Sequence, residues 1–160
     1  MIDDTQQVLC IVGAIGAALA AGVLFAFSTF VMSGLRSLPD EQGLAAMQAI
    51  NKAATTPPFM LVLLGTALLC VGVGISAATR LDERAAVYQL VACALYLVGI
   101  VVTIGYHVPR NDALALVNAS SSGVGAAWRQ YASGWTAWNH VRLLTSLGAA
   151  VTFLIALRVD

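Results

Sequence analysis

The chain carries two histidines, His107 and His140, and one arginine, Arg142, set well inside an apolar stretch. Histidine can serve as a general base near neutral pH, and it is also the commonest metal ligand. Arg142 lies two helical turns beyond Trp135, about 10 Å along the axis at 1.5 Å per residue. An ionised arginine at that depth in hydrocarbon is costly unless it finds a partner or snorkels to the interface. No Asp or Glu falls deep in an apolar stretch. The partners open to Arg142 are therefore loop acids, amides, carbonyls, water or a bound ligand.

Amides and aromatics accompany these residues. At about 100° per residue, Asn139, Arg142 and Ser146 stay within about 40° of Trp135 on a helix, with Trp138 and Thr145 on the flank of the same stripe. His140 falls about 140° away, among Leu143, Leu144 and Leu147. Upstream, Gln48 and Asn51 share a helical stripe with Leu44 and Met47, so docking of that apolar face would desolvate both amides and oblige them to find partners. Those partners could be loop carbonyls or each other. His107 and Asn111 bracket Val108-Pro109-Arg110. Proline breaks the helical ladder and disfavours helical angles in the residue before it, which predicts a helix end with His107 in the last turn, as a cap or as part of a site. Trp128 and Trp135 read as interface anchors. Cys10, Cys70 and Cys93 sit singly in separate apolar stretches, as buried thiols do.

The elements that position these residues follow from composition. Of 160 residues, 59% are hydrophobic and 10% charged, with zero net charge. So few charges cannot cover a soluble surface, and the lipid bilayer is the expected partner. No basic block is present to support nucleic-acid binding. Apolar runs over residues 8–35, 59–78, 85–108 and 135–157 each reach the roughly 20 residues needed to span hydrocarbon. The expectation is an all-α, integral membrane four-helix bundle in one domain of residues 1–160. The first run follows Asp3 and Asp4, not a basic segment, and is too long for a cleaved signal.

The connections are unequal. Residues 79–84 form a tight polar turn, whereas 36–58 and 109–134 are long and fall together on the opposite side. Within the first, Pro39-Asp40-Glu41 opens a short amphipathic helix, with Asp40 or a neighbour as cap. Four cationic residues on the long side (Arg36, Lys52, Arg110, Arg129) against three on the other (Arg80, Arg84, Arg158) do not decide orientation, which rests on a lean toward cytoplasmic termini in the cell membrane. Gly13, Ala17 and Ala21, with Gly16 and Ala20, form small-residue stripes for close helix packing, within one chain or in a homo-oligomer.

Four segments together are recognisable. These are Phe25-Ala26-Phe27-Ser28-Thr29-Phe30-Val31-Met32 with Leu35, Met47-Gln48-Ala49-Ile50-Asn51, His107-Val108-Pro109-Arg110-Asn111, and Trp135-Thr136-Ala137-Trp138-Asn139-His140-Val141-Arg142. In order and spacing the chain resembles the anthrone oxygenase-like family across nearly its whole length. The resemblance implies a four-helix membrane protein that oxidises an anthrone-like or phenolic aromatic substrate with O2. It carries over Gln48, Asn51, His107, Asn111, Trp138, Asn139, His140 and Arg142 as site residues. In that scheme His107 or His140 is the base, Arg142 with Asn51 or Asn139 holds an oxyanion, and Trp138 stacks on the rings. The cofactor stays open between none and an iron, copper or haem centre on His107 and His140. The other class of reading is a non-catalytic transporter or accessory subunit, with Arg142 binding an anion.

Overall fold

The computed structural model describes residues 4–121 and 123–159. It is all-helical, and four of its helices are long and apolar enough to cross a membrane. These are α1 (Asp4–Arg36), α3 (Pro57–Ala78), α4 (Arg84–Ala115) and α5 (Val124–Ala156). The short α2 (Asp40–Ala53) occupies the first long connection. Neighbours around the bundle run α1, α3, α4, α5 and back to α1, and each adjacent pair is antiparallel. This is an up-down-up-down arrangement, with a short turn only between α3 and α4.

The half near the termini is filled by small side chains. Ala17, Ala20, Cys70, Ala92, Cys93 and Ala149 are buried together around Tyr96 and Phe153. The stripe on α1 is used inside the chain: a Cβ on Gly13 would meet the Phe153 ring, and one on Gly16 would collide with Thr66. In lipid, where apolar burial gives little drive for association, such close approach supplies the packing. The opposite half has a second core of larger side chains, in which Met32, Leu35, Leu44, Met47, Trp128 and Trp135 hold α2 against α1 and α5.

Several local expectations are corrected. Helix α4 does not end at Pro109 but continues to Ala115. The turn before it, Thr103–His107, is π-helical, and Pro109 sits at the start of the α-helical turn that follows. A missing N–H is tolerated at such a position, much as at a helix N-terminus. Helix α5 starts at Val124, about three turns before Trp135. Trp128 is consequently a core residue, 1% exposed, and Trp135 is also buried, so neither is an interface anchor. No side chain caps α2; Pro39 holds the cap position, and Asp40 pairs with Arg129 at 2.6 Å.

Candidate functional site

Two further widened turns accompany Thr103–His107, at Phe27–Val31 in α1 and Leu61–Gly65 in α3. All three lie in the half of the bundle that carries the long connections. Widening the ladder from i→i+4 to i→i+5 leaves carbonyls short of donors, and in hydrocarbon these must be met from elsewhere. A side chain stands at a carbonyl in or just before each turn. Asn139 Nδ2 donates to the Leu24 carbonyl and to Ser28 Oγ, both at 2.9 Å. Tyr96 Oη donates to the Leu63 carbonyl at 3.1 Å. His107 Nδ1 lies 3.4 Å from the Val102 carbonyl.

Between these turns lies a cavity of about 410 Å³, within the usual range for small-molecule sites. Leu24, Phe27, Met47, Ile50, Phe59, Met60 and Leu63 are among the residues that make it strongly apolar. Its polar wall brings together Asn51, His107, Asn111, Trp135 and Arg142. These come from α2, α4 and α5, so each long connection contributes.

Arg142 is 7% exposed. Its one side-chain hydrogen bond is a long one, from Nη1 to Asn139 Oδ1 at 3.5 Å, and no carboxylate pairs with it among the described residues. Snorkelling to the interface is thus not how this cation is accommodated; Arg142 is one of the residues lining the cavity. His107 is 1% exposed. Its ring stands edge-on to Trp135, and Nε2 is 3.3 Å from the Trp135 carbonyl. A neutral imidazole has one N–H, so it can donate to one of its two neighbouring carbonyls and must present a lone pair on the other nitrogen. Both contacts are long for hydrogen bonds, so neither ring nitrogen is held tightly.

The amides divide into lining and supporting roles. Asn111 Oδ1 accepts from Tyr131 Oη at 2.8 Å and from Trp135 Nε1 at 3.1 Å. Asn51 Nδ2 donates to Tyr131 Oη at 3.3 Å. This chain ties α2, α4 and α5 together over the cavity. Gln48 does not line the cavity; its Nε2 donates to the Leu114 and Val117 carbonyls at 2.9 and 3.0 Å, fastening α2 to the end of α4. Asn139 is fully buried behind the wall.

Two expected site residues lie elsewhere. Trp138 is 43% exposed and packs at a tilt against Tyr106, itself covered by Arg110 at 5.0 Å. This aromatic group faces outward. His140 is exposed on the outer face of α5, as its place among the leucines of that helix dictates. It does not meet His107, and a centre ligated by the two histidines does not fit this arrangement. Among the described residues no three His, Cys, Asp or Glu side chains gather as metal ligands do.

Tyr131, Trp135 and Tyr96 were not among the expected site residues. Tyr131 lies one turn before Trp135 on the same stripe, a signal that extending α5 toward its start would have exposed. The widened turns leave no comparable mark in the sequence.

Residues 58–152 match the anthrone oxygenase family. The match covers more than half of the chain, which belongs to this family. It includes His107, Asn111 and Arg142 and stops short of α2 with Gln48 and Asn51. No curated protein and no solved structure matches it.

Proposed function

Taking the anthrone oxygenase family as the starting point, we propose that the protein oxidises an anthrone-like or phenolic aromatic substrate with O2 inside the cavity. The observation that carries this reading is a buried Arg142 with no carboxylate partner and a buried His107 on the polar wall of a largely apolar chamber. A fused aromatic ring system takes the apolar volume. Its oxygen meets Arg142, which stabilises the negative charge that develops when the substrate is deprotonated, and low local polarity strengthens that interaction. His107 is the base that takes the proton from the ring methylene or phenol.

The electron-rich anion then reacts with O2. For an anthrone, one oxygen atom becomes the new ring carbonyl and the other leaves as water with both methylene hydrogens. The methylene carbon gives up four electrons in becoming a carbonyl, the full complement that O2 takes up, so the balance requires no external reductant. Asn51 and Asn111, linked through Tyr131 and Trp135, brace the same wall, and Asn139 positions Arg142 from behind. A transporter is less well supported, because the half of the bundle beneath the cavity is a packed core around Tyr96 and Phe153.

The test is oxygen uptake by the purified protein in lipid with anthrone as substrate, corrected for the reaction in lipid alone. Arg142→Ala is expected to lower the catalysed rate about 100-fold, the cost of losing one oxyanion donor. Equal rates for the two proteins reject the proposed site.

A further inference from the structure

The cavity is closed on some sides and not on others. Over its outer end lies α2, with Met47, Ile50 and Asn51 on the cavity wall and Gln48 fastened to α4. Along α5, Trp135 and Arg142 form a continuous wall with His107 of α4. Between α3 and α4 the situation differs. These helices pack closely along Thr66–Ala78 and Arg84–Val102, but the packing does not continue between Leu61–Gly65 and Thr103–His107. Contact between the two helices is sparse at this level, with Tyr96 Oη of α4 still reaching the Leu63 carbonyl at 3.1 Å.

The edges of that seam are apolar. Phe59, Met60 and Leu63 line the cavity from α3, and Thr103 and Val108 line it from α4. Val108 is also 44% exposed, and Ala53 and Thr55 on the lining are exposed at the connection from α2 to α3, so the lining reaches the outer surface at both places. Beside the seam, Leu61, Leu64 and Leu68 on α3 and Val101 and Ile104 on α4 face outward, as lipid-facing side chains do. Arg142 is the one charged residue on the cavity lining, and it belongs to the opposite wall.

We infer that ligands enter the cavity sideways from the bilayer through the seam between α3 and α4. The ligand class is a membrane-partitioned aromatic molecule carrying a single anionic or hydrogen-bond-accepting oxygen. An ion delivered from water would have to shed its hydration at an apolar mouth before reaching Arg142. A ligand already dissolved in hydrocarbon carries its ring system through that mouth at no such cost, and its oxygen gains the guanidinium at the end of the path. The inference requires the cavity to be a binding site, as the proposed function does, but does not require the ligand to be oxidised.

The experiment compares two fluorescent phenols of one ring system with the full chain in phosphatidylcholine vesicles. 2-Naphthol partitions into lipid, and 6-hydroxynaphthalene-2-sulfonate does not. Association is followed by stopped-flow energy transfer from tryptophan. 2-Naphthol is expected to bind, with the sulfonate at least tenfold slower or absent. Val108→Trp and, separately, Met60→Trp narrow the seam and are expected to slow 2-naphthol association at least tenfold, whereas Leu68→Trp on the lipid face leaves it within twofold. The route is overturned if the sulfonate binds as fast as 2-naphthol, if both seam variants bind at the wild-type rate, or if neither phenol binds to wild type. The first comparison uses unaltered protein and stands even if a variant misfolds. Binding of 2-naphthol without oxygen uptake on anthrone rejects the oxygenase reading and leaves this one intact.

Discussion

His107 and Trp135 meet edge to face, with ring centroids 5.0 Å apart and planes at 87°, and the imidazole Nε2 lies 3.3 Å from the tryptophan carbonyl. Helices α4 and α5 are joined here at the cavity wall, and the base proposed for catalysis is held by the same contact. His107→Gln retains a polar side chain of similar reach but is a far weaker base. Its rate of anthrone-dependent oxygen uptake is expected to fall about 100-fold or more, the usual range for loss of a general base. His140→Gln is expected to stay within twofold of wild type. The reverse pattern would move the chemistry to the outer face of α5.

The separation of the histidines also bears on metals. Elemental analysis and the visible absorption spectrum of His140→Gln are expected to match those of wild type. A metal or haem signal that disappears in His140→Gln and in His107→Gln alike would restore a two-histidine centre and contradict the geometry described above.

Asn139 satisfies the Leu24 carbonyl and Ser28 Oγ beside a widened turn. Asn139→Ala leaves that carbonyl without its side-chain donor in an apolar setting, and a loss of about 1–2 kcal/mol in unfolding free energy is expected. Steric-trap or denaturing-detergent unfolding in lipid would measure it. The same variant frees Arg142 from its one side-chain acceptor, so activity is expected to fall further than stability does.

Gln48 fastens α2 through two carbonyls at the end of α4. In Gln48→Ala both bonds are lost, each worth roughly 0.5–1.5 kcal/mol. Hydrogen exchange across α2 is expected to quicken while exchange in the core around Tyr96 is unchanged. Uniform exchange in both proteins would show that the amide contributes nothing to holding α2 over the cavity.

The Asp40–Arg129 pair is short but lies at the surface, with the arginine side chain 69% exposed. Asp40→Asn is expected to alter stability by less than about 1 kcal/mol, and less again at high salt. A larger change in thermal unfolding would mean that the pair does more than decorate the start of α2.

Much of this architecture was legible before any coordinates. Span length and the scarcity of charge require a membrane bundle, and the helical phase of Asn139, Arg142 and Trp135 already separates them from His140. The depth of Arg142 marks it as a residue needing an explanation. What could not be read has a physical cause. Pro109 looks like a helix end because an isolated α-helix has no place for it, and only the wider turn before it removes the conflict. Trp128 looks like an interface anchor until α5 is extended to Val124 and α2 is laid across it. Trp138 was placed on the correct stripe, but at its edge, where a small rotation decides between cavity and lipid.

The three π-helical turns each amount to one extra residue in an otherwise regular helix. One residue is about 100° of rotation, so the two ends of α1, α3 and α4 are out of phase with each other. The end near the termini is indexed for tight contact among alanines and cysteines, and the other end is turned away from that register. Deleting one of residues 103–106 would close the ladder to a regular α-helix and leave His107 and Asn111 at their present angle, because the wide turn already absorbs the extra residue. Chamber and packed core can therefore share the same helices, each half keeping its own residue register across the wide turn.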